Sequence, residues 1–366
     1  MKVYGGNKTL IVAATLLITA LACMSAGTAT PATEPTSPPL STEPPAPPED
    51  GFIPEVVWRV AFQQEQGLNT IHSLTFSPDG RLVAVGVHPE ARLYNTSNGE
   101  LVRTIEHRHS VESLGFSPDG EILGAGQGLY GVQLSRVADG DVLHTLGSGH
   151  NNVLAFSSDG ETIATGNREG TIWLWRITDG ELLASFERPV EGAITDHFMT
   201  DITFSPDGTM LATAHFDGLI HVWQVSSGSL LYTLKPPTEF ERADSIAFSP
   251  DGKLLAASGA QEDWNNVVRL WQVSDGTPAH VLGGHVNEVT SVAFSPDGTL
   301  FASGGSARDG TVKLWQTSDW LMLNSLEHLD DQNEVDRITS IDFSPDGRHM
   351  AVGTWSGLIW LWQVQP

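Results

Sequence analysis

The pentapeptide FSPDG at Phe76–Gly80 returns unchanged at Phe116, Phe204, Phe248, Phe294 and Phe343, and as FSSDG at Phe156. The seven phenylalanines stand 40, 40, 48, 44, 46 and 49 residues apart. A recurring period near ~40–45 residues marks stacked units, each too small to bury its own apolar face. Pro-Asp-Gly is turn chemistry: proline presets φ, aspartate bonds nearby backbone and glycine accepts a positive φ. The repeat therefore predicts seven hairpins, each with its phenylalanine ending a strand and facing the core.

The flanking residues extend the pattern. After each turn comes a short strand of small residues, such as TIATGN, MLATAH, LLAASG, LFASGG and HMAVGT. A third strand follows, rich in Trp, Val, Ile and Leu: TIWLWRI from Thr171, LIHVWQV from Leu219, TVKLWQT from Thr311, LIWLWQV from Leu358. Composition of this kind, bounded by Gly or Asp, reads as strand. A second turn (TDG, SSG, SDG) leads to a fourth strand such as ELLASF or SLLYTL. Four strands per period, seven periods and no helical pattern after residue 50 predict an all-β chain. The architecture expected is a seven-bladed β-propeller of four-stranded antiparallel blades. The last period lacks a fourth strand, while PEVVWRVAF (Pro54–Phe62) is spare before the first. The N-terminal strand is expected to complete the last blade and close the ring, which removes its open edges.

The segment GGHVNEVTSVAFSPDGTLFASGGSARDGTVKLWQT (Gly283–Thr317) resembles a WD-repeat. It carries the Gly-His pair, the strand ending in FSPDG, the small-residue strand and the Leu-Trp strand in family order. The resemblance covers roughly residues 55–364 and implies the propeller fold. It implies little about function, because one fold hosts many activities.

The first residues, MKVYGGNKTLIVAATLLITALACMSAGTAT, predict a secretory signal peptide over 1–22. Lys2 and Lys8 form its basic end, Leu10–Leu21 its apolar stretch and Ala20-Leu21-Ala22 its cleavage site. The apolar run is shorter than the ~20 residues a membrane-spanning helix needs. Cys23, the chain's one cysteine, follows directly. It resembles the lipidated cysteine of a bacterial lipobox, with Leu at 21 where the motif has it at 20. Ordinary cleavage after Ala-Leu-Ala is the alternative, giving a freely secreted protein. Residues 23–50 are rich in Pro and Thr and predict a flexible tether, with the propeller over 51–366.

The net charge of −25 becomes −27 without Lys2 and Lys8, and no Lys/Arg cluster appears. This argues against binding nucleic acid through its phosphates. HLDDQNEVD (His328–Asp336) is acidic, and Asp331, Asn333 and Asp336 are the oxygen ligands it offers a calcium ion. It lacks the spacing and glycine of an EF-hand loop, so a solvated acidic loop and no metal is the expectation. The thirteen histidines show no metal-ligand spacing, and His107 and His109 read as an isolated surface pair. No cofactor motif appears.

Several residues have roles implied by the resemblance. His285, Ser303, Asp309 and Trp315 match the family's hydrogen-bonded tetrad inside a blade. His, Ser and Asp invite comparison with a hydrolase triad, but a set that recurs blade by blade reads as structural. The other blades are incomplete. Blade three offers His150, Thr165, Glu169 and Trp175. Blade four offers Thr213, Asp217 and Trp223 without the histidine. Blade two has His107, with Ser135 in place of tryptophan, and blade one has Tyr94 there. Family propellers bind partners on the face formed by the loops between strands two and three and those leading into each inner strand. The residue before the turn acid (Ser356 in blade seven), expected on that face, is Arg168, Phe216, Arg308 or Trp355. Trp264 lies in the longer blade-five loop, and the loops into the inner strands add His150, Phe198, Arg242 and Arg337. Arg and aromatic side chains are the usual interface anchors.

The expectation is a monomeric, non-catalytic platform for protein partners, on the outside of a bacterial cell membrane through a lipid anchor at Cys23. One alternative is a small-ligand or glycan receptor stacking on Phe216, Trp264 and Trp355. Another is an enzyme with its site in the central funnel, where Glu112, Asp244 and Glu288 approach from different blades.

Overall fold

The computed structural model describes residues 53–62, 70–147, 153–189, 198–235, 242–260, 266–330, 332 and 334–365. The expected signal peptide, the tether with Cys23, and also His150 and Trp264, lie outside the described residues. The described residues form seven four-stranded antiparallel sheets and no helix. Blade one runs from its inner strand outward as Ser73–Phe76, Leu82–Gly86, Glu90–Asn95 and Leu101–Glu106. Blades two to six repeat that order along the chain.

Blade seven is closed as the sequence predicts. Ile338–Phe343, His349–Thr354 and Leu358–Gln363 supply three strands, and Glu55–Ala61 pairs with the last of them as the fourth. Trp58 donates its Nε1 hydrogen to the Thr96 carbonyl (2.7 Å), tying this strand to blade one. Phe62 packs among Ile71, Tyr94, Ile359 and Leu361. Seven apolar clusters make up the core, and each lies between two neighbouring blades. No blade owns its core, so none is expected to be stable alone.

The repeated pentapeptide has two jobs. Within its hairpin, Ser77 Oγ donates to Asp79 Oδ1 (2.6 Å) and accepts from Leu82 N (2.9 Å). Asp79 Oδ1 also accepts from Arg81 N, and Gly80 sits at φ +70°. Between hairpins, the proline packs on the next blade's glycine. Pro78 lies 3.5 Å from where a Cβ on Gly120 would stand, Pro118 stands against Gly160, and Pro345 returns to Gly80. These contacts circle the face on which the first–second and third–fourth strand turns lie, here called the underside.

The inner strands are stitched by a second register. Three residues before each phenylalanine stand Ser73, Ser113, Val153, Asp201, Ser245, Ser291 and Ser340. Ser340 Oγ accepts from Leu74 N, Ser73 Oγ from Leu114 N and Ser291 Oγ from Ile341 N, each at 3.1 Å and each across a blade boundary. Val153 offers no such acceptor to blade four. Asp201 there accepts from its own Ile202 N and from Ile246 N of blade five, both at 2.8 Å. Burial pushes the Asp201 carboxyl up to about 6 against those hydrogen bonds.

Candidate functional site

The predicted tetrad forms inside blade six. His285 Nε2 shares a hydrogen bond with Ser303 Oγ (2.8 Å), and Trp315 Nε1 donates to the same oxygen (3.0 Å). His285 Nδ1 lies 3.2 Å from Asp309 Oδ2, which also accepts from Val286 N (2.6 Å). Asp309 Oδ1 accepts from Thr311 Oγ1 as well. Burial favours a protonated Asp309, but the bonds from His285, Thr311 and Val286 prevail and hold it well below the usual carboxylate range. Burial lowers His285, with Asp309 opposing. Ser303 is buried with its hydroxyl already engaged, so this set cannot present a nucleophile to a substrate.

Other blades use substitutes that the family pattern does not reveal. In blade four, Arg188 stands where the loop histidine is missing and donates to Asp217 (2.8 Å). Trp223 Nε1 donates to Thr213 there (3.2 Å), as Trp175 does to Thr165 in blade three (2.8 Å). In blade seven, Trp362 Nε1 donates to His328 Nε2 (3.0 Å).

Two expectations are corrected by these arrangements. The segment 328–336 is not simply a solvated acidic loop. His328 is 0% exposed and Asp336 only 5%, and Asp336 accepts from both the backbone and hydroxyl of Ser356. Asp331 and Asn333 lie outside the described residues. His107 is likewise no surface residue. It is buried, and burial takes its pKa down to about 4.

The opposite face carries the loops between second and third strands and those into each inner strand. A cavity of 760 Å³ opens there. Its lining includes a ring four residues before the repeat phenylalanines: His72, Glu112, Thr200, Asp244, Thr290 and Thr339. Most threonines of this ring serve the frame. Thr200 Oγ1 donates to Ala243 O (2.6 Å) and Thr290 Oγ1 to Ile338 O (2.7 Å). Sequence reasoning named two members, Glu112 and Asp244, near the central funnel; counting back from each phenylalanine would have found the other four.

Five expected partner-binding residues also line this cavity: Arg168, Phe198, Phe216, Arg337 and Trp355. They come from blades three, four and seven and are coupled to one another. The Arg168 guanidinium lies 4.1 Å over the Phe198 ring, and the Phe198 and Phe216 centroids are 6.2 Å apart. Arg242 lies 5.3 Å over Phe216 while pairing with Asp244 (2.7 Å) and Glu288 (3.2 Å). Across the mouth, Arg337 lies 5.5 Å over Trp355, and His72 meets Trp355 edge-on at 6.4 Å. Trp355 is 52% exposed and Phe216 40%. Arg308 is exposed on the same face but does not line the cavity.

A closed ring of seven four-stranded blades defines the class: an all-β propeller. Residues 228–272, 276–316 and 325–363 match the family described as WD domain, G-beta repeat. Residues 154–239 match the anaphase-promoting complex subunit 4 WD40 domain. No curated protein matches the chain. The chain is a WD-repeat propeller. Propellers of this family typically mediate protein–protein interaction and are usually non-catalytic scaffolds.

Proposed function

We propose that this propeller is a non-catalytic binding platform whose partner is a protein docked over the upper cavity. We further propose that it is exported and held outside a bacterial membrane by a lipid on Cys23. The observation that carries the first proposal is the convergence of Arg168, Phe198, Phe216, Arg337 and Trp355 on one cavity mouth. Exposed aromatic rings and guanidinium groups at the centre of a concave face are favourable anchors. The carboxylates that favoured an enzyme are partly committed, since Asp244 and Glu288 both hold Arg242. The exposed rings of Phe216 and Trp355 also suit a glycan, and this is the second reading.

Capture from envelope extract, run beside a glycan array, separates the two readings. A protein should be retained by the parent and lost with Trp355→Ala or Phe216→Ala. Glycan binding without a protein partner would favour the receptor instead. For the anchor, Cys23→Ser should move the protein from membrane to soluble fraction. An unmodified mature N-terminus in the membrane fraction would contradict lipidation.

A further inference from the structure

We propose that the partner segment entering the cavity is acidic: a short stretch in which a carboxylate stands beside an aromatic residue. This inference rests on the upper face being the binding face, as proposed above. Its basis is one cation in the cavity lining, Arg337, that is held unlike the paired cations. Several cations on both faces are met by carboxylates: Arg136 by Asp139 (2.6 Å), Arg176 by Asp179 (2.9 Å) and Lys253 by Asp251 (2.9 Å) below, and Arg242 by Asp244 (2.7 Å) and Glu288 (3.2 Å) above. Those charges are already matched within the chain.

Arg337 is held differently. Its guanidinium lies over the Trp355 ring, and its Nε is buried without a hydrogen-bond partner. Among the described residues no carboxylate stands within ion-pair distance of it. Asp244 feels its charge but bonds Arg242 instead. With Nε buried, the two terminal nitrogens of this guanidinium are the ones left to a ligand that enters the cavity. That fork matches a carboxylate in a bidentate pair. In the same lining, the exposed rings of Trp355 and Phe216 offer stacking surfaces for an aromatic side chain.

The test uses the full chain and an array of ten-residue peptides with a central Trp. Their flanks are Asp/Glu, Asn/Gln or Lys/Arg. Binding is expected to the acidic set at least tenfold above the neutral set, and to fall as salt rises. Arg337→Gln should lose at least tenfold on the acidic set with an unchanged melting temperature. Arg337→Lys should recover part of that loss, because charge returns without the fork. Preference for basic or neutral flanks, abolished by Trp355→Ala, would overturn the acidic ligand while leaving the binding face in place. Binding indifferent to both Arg337→Gln and Trp355→Ala would overturn the face as well.

Discussion

The two faces of the disc are built by opposite rules. On the underside one solution is copied round the ring: Ser to Asp, Gly at positive φ and Pro against the next Gly, with Ser158 in place of the proline in blade three. On the upper face the blades differ more, although three of them share a threonine that bonds the frame. His72, Glu112, Thr200, Asp244, Thr290 and Thr339 occupy equivalent places, and Arg, Phe, Glu or Trp stand above them. Repetition marks residues that serve the frame, because every blade boundary poses the same physical problem. Variation within a fixed register marks residues the frame leaves free, and these gather round the cavity.

The largest test of this division removes a frame element that is not part of any repeat. Deleting residues 53–62 strips the outer strand from blade seven and exposes its third strand together with Ile359 and Leu361. Loss of cooperative thermal unfolding, or aggregation, is expected. A truncated chain that melts like the parent would break the claim that the ring must close.

Next in size is Asp309→Ala. It leaves Val286 N, Thr311 and His285 without their shared acceptor inside blade six. Buried groups left unpaired cost roughly 1–3 kcal/mol each, so a loss of about 2–4 kcal/mol is expected by denaturant unfolding. Trp355→Ala on the upper face should cost under about 0.5 kcal/mol in the same assay, since its ring is half-exposed. Equal losses at the two positions would erase the contrast between frame and face.

A smaller effect sharpens the contrast through pH. The folded pKa of Asp201 is raised to about 6 by burial, above the ordinary 3.8. The folded state therefore holds its proton more tightly than the unfolded chain. This group's contribution is fullest below about pH 4 and falls as pH rises through 6. Burial lowers His107 and His328 to about 4, which works in the opposite direction, but these residues are common to parent and variant. Asp201→Asn should be less stable at pH 4, having lost an acceptor, and should recover about 2 kcal/mol relative to the parent by pH 7. Parallel stability curves would show that the carboxyl does not titrate in this window.

Much of the frame was legible because turn and strand chemistry are local. FSPDG announced its hairpin, and the missing last strand announced the closure by Pro54–Phe62. The tetrad of His285, Ser303, Asp309 and Trp315 was legible through its family spacing. What escaped were substitutions that only three dimensions reveal. Arg188 reaches Asp217 across 29 residues of chain, and His328 reaches Trp362 across 34. Neither partner is marked by local pattern. The face residues were legible as positions, since each sits at a fixed offset from a turn. Their coupling was not, because Arg168 over Phe198 and Arg242 over Phe216 join different blades. The aspartates and serines behind the phenylalanines stood in plain register but looked like ordinary strand residues.

Hydrogen exchange of the full chain, alone and with its captured protein partner, tests the upper-face interface most directly. Slowed exchange is expected in the loops around 198–200, 215–218, 337–339 and 354–357, with the underside turns at 77–82, 117–122 and 295–300 unchanged. Protection confined to those turns or to the outer strands, with the cavity loops exchanging as in the free protein, would contradict a partner docked over the cavity.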